Sequence, residues 1–298
     1  MVSSPFHSKG PKMPFNLPRL LASVLCLPLL STLALPSIGV AQEENPPSAD
    51  TSETAQLPPT GLHLFLLAGQ SNMAGRGKIA DEDLQPHPRV LVFNKAGEWA
   101  PAIAPLHFDK PRIAGVGLGR TFAIEYAENN PQATVGLIPC AVGGSSLDVW
   151  QPGGFHESTN THPYDDCMKR MQQAIVAGEL KGILWHQGES DSNPALSKTY
   201  QSKLNELFER FRTEFGSPNV PIVIGQLGQF TEKPWDESRK LVDQAHRTLP
   251  DRMTNTVFVH SDGLGHKGDQ THFSAEAYRE FGHRYFLAYQ QLTGSSNE

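Results

Sequence analysis

Cysteine is scarce in this chain of 298 residues: Cys26, Cys140 and Cys167 are the only three. No paired Cys/His spacing and no H-E-x-x-H element occurs, so there is no zinc-ligand pattern and no metal is expected. Clustered Lys/Arg is also missing, and the formal net charge is −6. A protein that binds a phosphate backbone needs a basic face, so nucleic acid is excluded as a partner. There is no internal repeat, and the serine-centred G-x-S-x-G element is absent.

The N-terminus does carry an apolar run, over residues 20–34, but Pro28 falls inside it and Pro36 just after. It is shorter than the roughly 20 residues that span a bilayer. Lys9, Lys12 and Arg19 precede it without an acid, and the small residues 39–41 (GVA) follow. This is the anatomy of a secretory signal peptide. Residues 1–41 are therefore expected to be removed, giving a secreted or periplasmic protein with no stable membrane association. Three of the 25 basic residues and none of the 31 acidic ones lie in that segment, so cleavage takes the net charge from −6 to −9. Residues 42–60 are polar and rich in Pro, Ser, Thr and Glu, which reads as a disordered linker. An oxidising compartment permits a disulfide between Cys140 and Cys167, though spacing alone does not show that the sulfurs meet.

From residue 61 to 294 the sequence reads as one domain. Short apolar runs at 62–68, 90–93, 135–138, 182–186, 220–226 and 256–260 predict strands. Helical patterns at 120–128, 164–177, 195–215, 237–248 and 275–290 lie between or after them. Continuous apolar strands alternating with helices predict an α/β fold with a parallel sheet covered on both faces. The stretch 95–119 is expected to be loop. In such a sheet, chemistry collects at the carboxyl ends of the strands.

Four strand ends stand out. GQSNMAG (69–75) places Ser71 among small residues at a strand-to-helix turn, where a nucleophile is exposed; a helix cap is the ordinary use of such a serine. PCAVGGSS (139–146) has paired glycines whose N–H groups can face a ligand, and Ser145 and Ser146 as rival nucleophiles. WHQGESD (185–191) is dense in polar groups, Gln187 and Glu189 among them. DQTHF (269–273) sets Asp269 three residues before His272, a spacing that allows a direct hydrogen bond and fixes the imidazole tautomer. With 12 histidines in the chain, that proximity needs support from the other segments.

Taken together, these segments resemble the SGNH/GDSL hydrolase superfamily, and within it the sialate O-acetylesterase-like group that includes the acetyl xylan esterases of carbohydrate esterase family 6. The resemblance implies a three-layer α/β/α sandwich with a central, mostly parallel, flavodoxin-like sheet. It implies Ser71 as nucleophile, His272 as general base and acid, and Asp269 as its orienter, with Glu189 the other candidate for the triad acid. The oxyanion hole it implies comprises the Ser71 and Gly143 N–H groups and the Gln187 amide; Gly144 and Asn72 are secondary candidates. Many SGNH enzymes have Asn where this sequence has Gln187, so a longer side chain must reach the same point. The implied activity is hydrolysis of O-acetyl esters on an oligo- or polysaccharide, without a cofactor. A lipase or thioesterase of the same superfamily, a silent carbohydrate-binding protein and an acetyltransferase are the competing readings. Trp99, Trp150, His156 and His162 are candidates for contacting sugar, or equally for packing.

Overall fold

The computed structural model describes residues 59–294. The segments expected to be signal peptide and linker lie outside the described residues, except for Pro59 and Thr60. Seven strands form a single sheet in the order β3-β2-β4-β1-β5-β6-β7. They are β1 (Leu62–Gly69), β2 (Val90–Phe93), β3 (Trp99–Pro101), β4 (Val135–Pro139), β5 (Gly178–His186), β6 (Ile222–Gly225) and β7 (Thr256–Val259). Every pairing is parallel except that of β3 with β2.

The helices are α1 (Ser71–Ala74), α2 (Leu118–Asn129), α3 (Pro163–Ala174), α4 (Tyr200–Glu214), α5 (Glu237–Arg247), α6 (Leu249–Arg252) and α7 (Ala275–Gly294). Alternation along β1 divides the interior in two. Phe65 and Leu67 face a core completed by Phe122 of α2 and by Phe281 and Tyr285 of α7. Leu64, Leu66 and Ala68 face the other, with Met171 of α3, Leu204 and Phe208 of α4 and Val242 of α5. A strand buried on both faces must be apolar throughout, which is why LHLFLLAG shows no polar alternation. The architecture is the three-layer α/β/α sandwich with a mostly parallel sheet.

Four local readings change. The stretch 95–119 contains β3, a three-residue antiparallel edge strand ending in Pro101. Proline donates no ladder hydrogen bond and is tolerated at an edge. Strand β5 begins four residues earlier than its apolar run, and α3 ends at Ala174, followed by a 3-10 turn over Ile175–Ala177. Cys140 and Cys167 are both buried but both free thiols, so the disulfide is not formed. Burial, with the neighbouring Cys140, pushes the Cys167 thiol up.

Candidate active site

Strand β1 delivers Ser71 to the carboxyl edge of the sheet. Gly69 has φ 127°, and a Cβ there would stand 2.1 Å from the His186 carbonyl oxygen of β5, so only glycine lets the strands close at this point. Gln70 then leaves the strand in an extended conformation and Ser71 opens α1. The first N–H groups of a helix have no partner within it, which leaves the Ser71 N–H available.

Across the cleft, the loop before α7 brings His272 to the same place. His272 Nε2 lies 3.0 Å from Ser71 Oγ, and His272 Nδ1 lies 2.7 Å from Asp269 Oδ2. Asp269 Oδ1 accepts from the backbone N–H of His272 at 2.8 Å and of Thr271 at 3.1 Å. Partial burial would raise the Asp269 carboxyl, but these hydrogen bonds from His272 and Thr271 outweigh it and hold it at about 2. A hydroxyl, an imidazole and a carboxylate in this order can pass a proton from serine to histidine while the tautomer stays fixed.

Glu189 does not touch His272. Its Oε1 accepts from Asn72 Nδ2 at 2.5 Å. Asn72 also donates to the Thr271 carbonyl at 3.0 Å, and its Oδ1 accepts from Tyr278 Oη at 2.6 Å and the Phe273 N–H at 3.3 Å. Asn72 thus ties the serine turn to the backbone on either side of His272.

The loop after β4 passes beside Ser71. A Cβ on Gly143 would sit 3.5 Å from Ser71 Cβ, 2.4 Å from Arg76 Nη2 and 2.8 Å from Asp109 Oδ2. The Gly143 N–H is taken: it donates to Asp109 Oδ2 at 2.8 Å. Asp109 Oδ2 also accepts from Arg76 Nη2 at 2.6 Å, and Arg76 Nη1 donates to the Gly75 carbonyl at the end of α1. Burial works against the Asp109 carboxylate, but the adjacent Arg76 guanidinium holds it below the usual range. His107, two residues earlier, is pushed down to about 4 by burial, against the pull of Asp109. The next residue, Gly144, is exposed with φ 88°, and no described group accepts from its N–H.

Gln187 does not reach the cleft. It is fully buried, and its Nε2 is shared among the Ser145 carbonyl at 3.0 Å, Asp191 Oδ2 at 2.5 Å and Gln70 Oε1 at 3.2 Å. Its Oε1 accepts from Tyr200 Oη at 2.9 Å. The amide, which the resemblance places in the oxyanion hole, here joins the ends of β1, β4 and β5. The Gly143 N–H is likewise engaged by Asp109. Ser145 is fully buried and hydrogen-bonded to the Val142 carbonyl and Trp150 Nε1, which removes it as a rival nucleophile.

Of the aromatic candidates for sugar contact, Trp150 is buried and Trp99 packs on Phe93. His156 does stand at the cleft, its Nε2 and Lys110 Nζ each 3.8 Å from where a Cβ on Gly144 would be. His162 is hydrogen-bonded to the Gly154 carbonyl. Asp109 and Val142 also line a cavity of about 280 Å³ with His107, Cys140 and Arg170. Gln70, Arg76 and Asp109 had no signal in the sequence: each acts through a partner more than 30 positions away.

A family model described as carbohydrate esterase, sialic acid-specific acetylesterase, matches residues 61–291. A curated relative from Arabidopsis thaliana, named a probable carbohydrate esterase, is 30% identical over 260 residues, covering 79% of this chain and 93% of that protein. An X-ray structure from Arabidopsis thaliana superposes with a TM-score of 0.68 at 30% identity, over 78% of this chain and 99% of the other. NanS superposes at 0.63 with 19% identity, over 80% of this chain and 99% of its own. A carbohydrate acetylesterase from Xanthomonas citri gives 0.60 with 20% identity, over 78% of this chain and 57% of that one. These last two show likeness of fold. The chain belongs to the sialic acid-specific acetylesterase family of carbohydrate esterases, and is a carboxylic ester hydrolase of carbohydrate O-acetyl groups.

Proposed function

We propose that the protein is exported and removes O-acetyl groups from a glycan through an acetyl-serine intermediate, with Ser71 as nucleophile, His272 as base and then acid, and Asp269 as the group that orients His272. The observation that carries this reading is the continuous chain from Ser71 Oγ to His272 Nε2 at 3.0 Å and from His272 Nδ1 to Asp269 Oδ2 at 2.7 Å. Ser71 Oγ attacks the acetyl carbonyl as His272 takes its proton. The oxyanion is met by the Ser71 and Gly144 N–H groups; one such donor is typically worth about 3–4 kcal/mol. His272 returns the proton to the leaving sugar oxygen. Water then attacks the acetyl-serine by the same route and releases acetate.

A fluorophosphonate probe tests the nucleophile. Peptide mapping is expected to find the label on Ser71, and a label on Ser146 instead sinks the assignment. Acetate release from a panel of acetylated glycans, xylan and sialic acid conjugates among them, identifies the substrate. Export rests on the N-terminal sequence pattern. The secreted protein is expected to begin near Gln42, and a membrane-bound form retaining residues 1–41 overturns cleavage.

A further inference from the structure

The pair Arg76–Asp109 lies beside the nucleophile, and the proton-transfer chain does not use it. Both side chains are almost completely buried, at 1% and 2% exposure. Its polar atoms are incompletely paired: Arg76 Nε, Asp109 Oδ1 and the nearby His107 Nε2 have no hydrogen-bond partner among the described residues. Buried ion pairs with unfilled hydrogen-bonding capacity are poor stabilisers, and apolar residues of similar volume often stabilise a fold better. A contribution to stability alone therefore does not account for this pair.

What the pair does touch is the loop facing Ser71. Asp109 Oδ2 accepts from the Gly143 N–H, and Arg76 holds both that carboxylate and the Gly75 carbonyl at the end of the nucleophile's helix. One ion pair thus fixes the nucleophile turn and the glycine loop relative to each other. We propose that Asp109, held by Arg76, is a positioning residue that fixes the Gly143 peptide, so that the following N–H, on Gly144, faces the oxyanion formed on Ser71. A hydrogen bond from the Gly143 N–H to Asp109 sets the orientation of that peptide and hence where the next one begins. An uncompensated carboxylate this close to Ser71 opposes a developing negative charge, and the Arg76 guanidinium cancels that field. The pair therefore acts as a neutral unit. Oxyanion stabilisation depends on donors already aimed before reaction, so freeing the loop costs rate rather than substrate binding.

This inference rests on the Ser71 esterase reading, and the experiment keeps the two apart. The double variant Arg76→Met/Asp109→Leu replaces the ion pair as a unit with apolar side chains, which avoids leaving one buried charge alone. On p-nitrophenyl acetate, kcat is expected to fall about 100-fold, the loss typical of an oxyanion donor, with KM within about three-fold of the parent. Inactivation by a fluorophosphonate, which also forms a tetrahedral adduct, is expected to slow in parallel. Asp109→Asn keeps one oxygen for the Gly143 N–H and is expected to lose about ten-fold in kcat; it carries the test if the double variant does not fold. A folded double variant with parental kcat overturns the proposal, as does a loss confined to KM, or Asp109→Asn at parental kcat if only that variant folds. If the parent itself neither releases p-nitrophenol nor takes the label on Ser71, it is the esterase reading that fails.

Discussion

Asn72 Nδ2 lies 2.5 Å from Glu189 Oε1, joining the residue after Ser71 to the turn after β5. The second acid of the site therefore supports the serine turn, while Asp269 supports the imidazole. The two carboxylates are expected to respond differently to loss of charge. Asp269→Asn presents the wrong hydrogen-bonding group to His272 Nδ1 and is expected to lower kcat by about 10⁴-fold. Glu189→Gln keeps an oxygen for Asn72 and is expected to cost about ten-fold or less. Steady-state kinetics of both variants decides it. A larger loss in Glu189→Gln than in Asp269→Asn exchanges their roles.

Asp191 gives a prediction in pH. Burial pushes its carboxyl from an ordinary 3.8 up to about 6, against the hydrogen bonds it accepts from Gln187 and the Leu147 N–H. The folded protein thus keeps this proton where the unfolded chain has lost it. Stability from this group is full below about pH 4, falls as pH rises towards about 6, and is flat above. Two units correspond to roughly 2–3 kcal/mol. The unfolding free energies of the parent and Asp191→Asn, from urea titrations, should shift relative to each other in the variant's favour by that amount between pH 4 and 7. A constant difference across that window contradicts it.

That Ser71, His272 and Asp269 meet was legible because each sits in a local motif: Ser71 at the end of an apolar strand, Asp269 and His272 three apart on one loop. The sheet was legible for a similar reason, since strands such as β1 and β4 are apolar on both faces. What could not be read was direction. Gln187 was recognised as a polar group at a strand end, but whether its amide turns to the cleft or to Ser145 depends on three strand ends meeting. The Arg76–Asp109 pair joins positions 33 apart through a stretch without periodicity. Strand β3 is three residues long and too short to show a period. Trp150 could be a sugar contact or a packing residue by sequence, because exposure is not encoded in residue type; it is buried.

Gln187 yields a prediction on stability. Its amide serves the Ser145 carbonyl, Asp191, Gln70 and Tyr200, all in the interior. Gln187→Ala leaves several of these without partners, and is expected to destabilise the fold by about 2–4 kcal/mol. The folded fraction should keep more activity than loss of an oxyanion donor allows, which is about 10²–10³-fold in kcat. Urea unfolding together with kcat at low temperature measures both. Unchanged stability with a 10³-fold lower kcat would return Gln187 to the oxyanion hole.

The paired glycines should fail in different ways. Gly143 does not have a positive φ, so its backbone suits alanine, but the space is filled: the added Cβ meets Arg76 Nη2 at 2.4 Å and Asp109 Oδ2 at 2.8 Å. Neither side chain is exposed beyond 2%, so neither can swing into solvent, and the ion pair must be displaced. Gly144 is the reverse. A Cβ there meets nothing closer than 3.8 Å, but φ is 88°, a conformation that costs a β-branched residue most and asparagine least. Gly144→Asn should therefore be tolerated better than Gly144→Val in thermal midpoint. Gly143→Ala should lower kcat about ten-fold, because it moves the groups that aim the loop and not merely the backbone. Thermal midpoints and kcat of the three variants separate the two causes. If Gly143→Ala is as active and as stable as the parent, the Arg76–Asp109 pair yields without consequence and the space beside Ser71 is not under constraint.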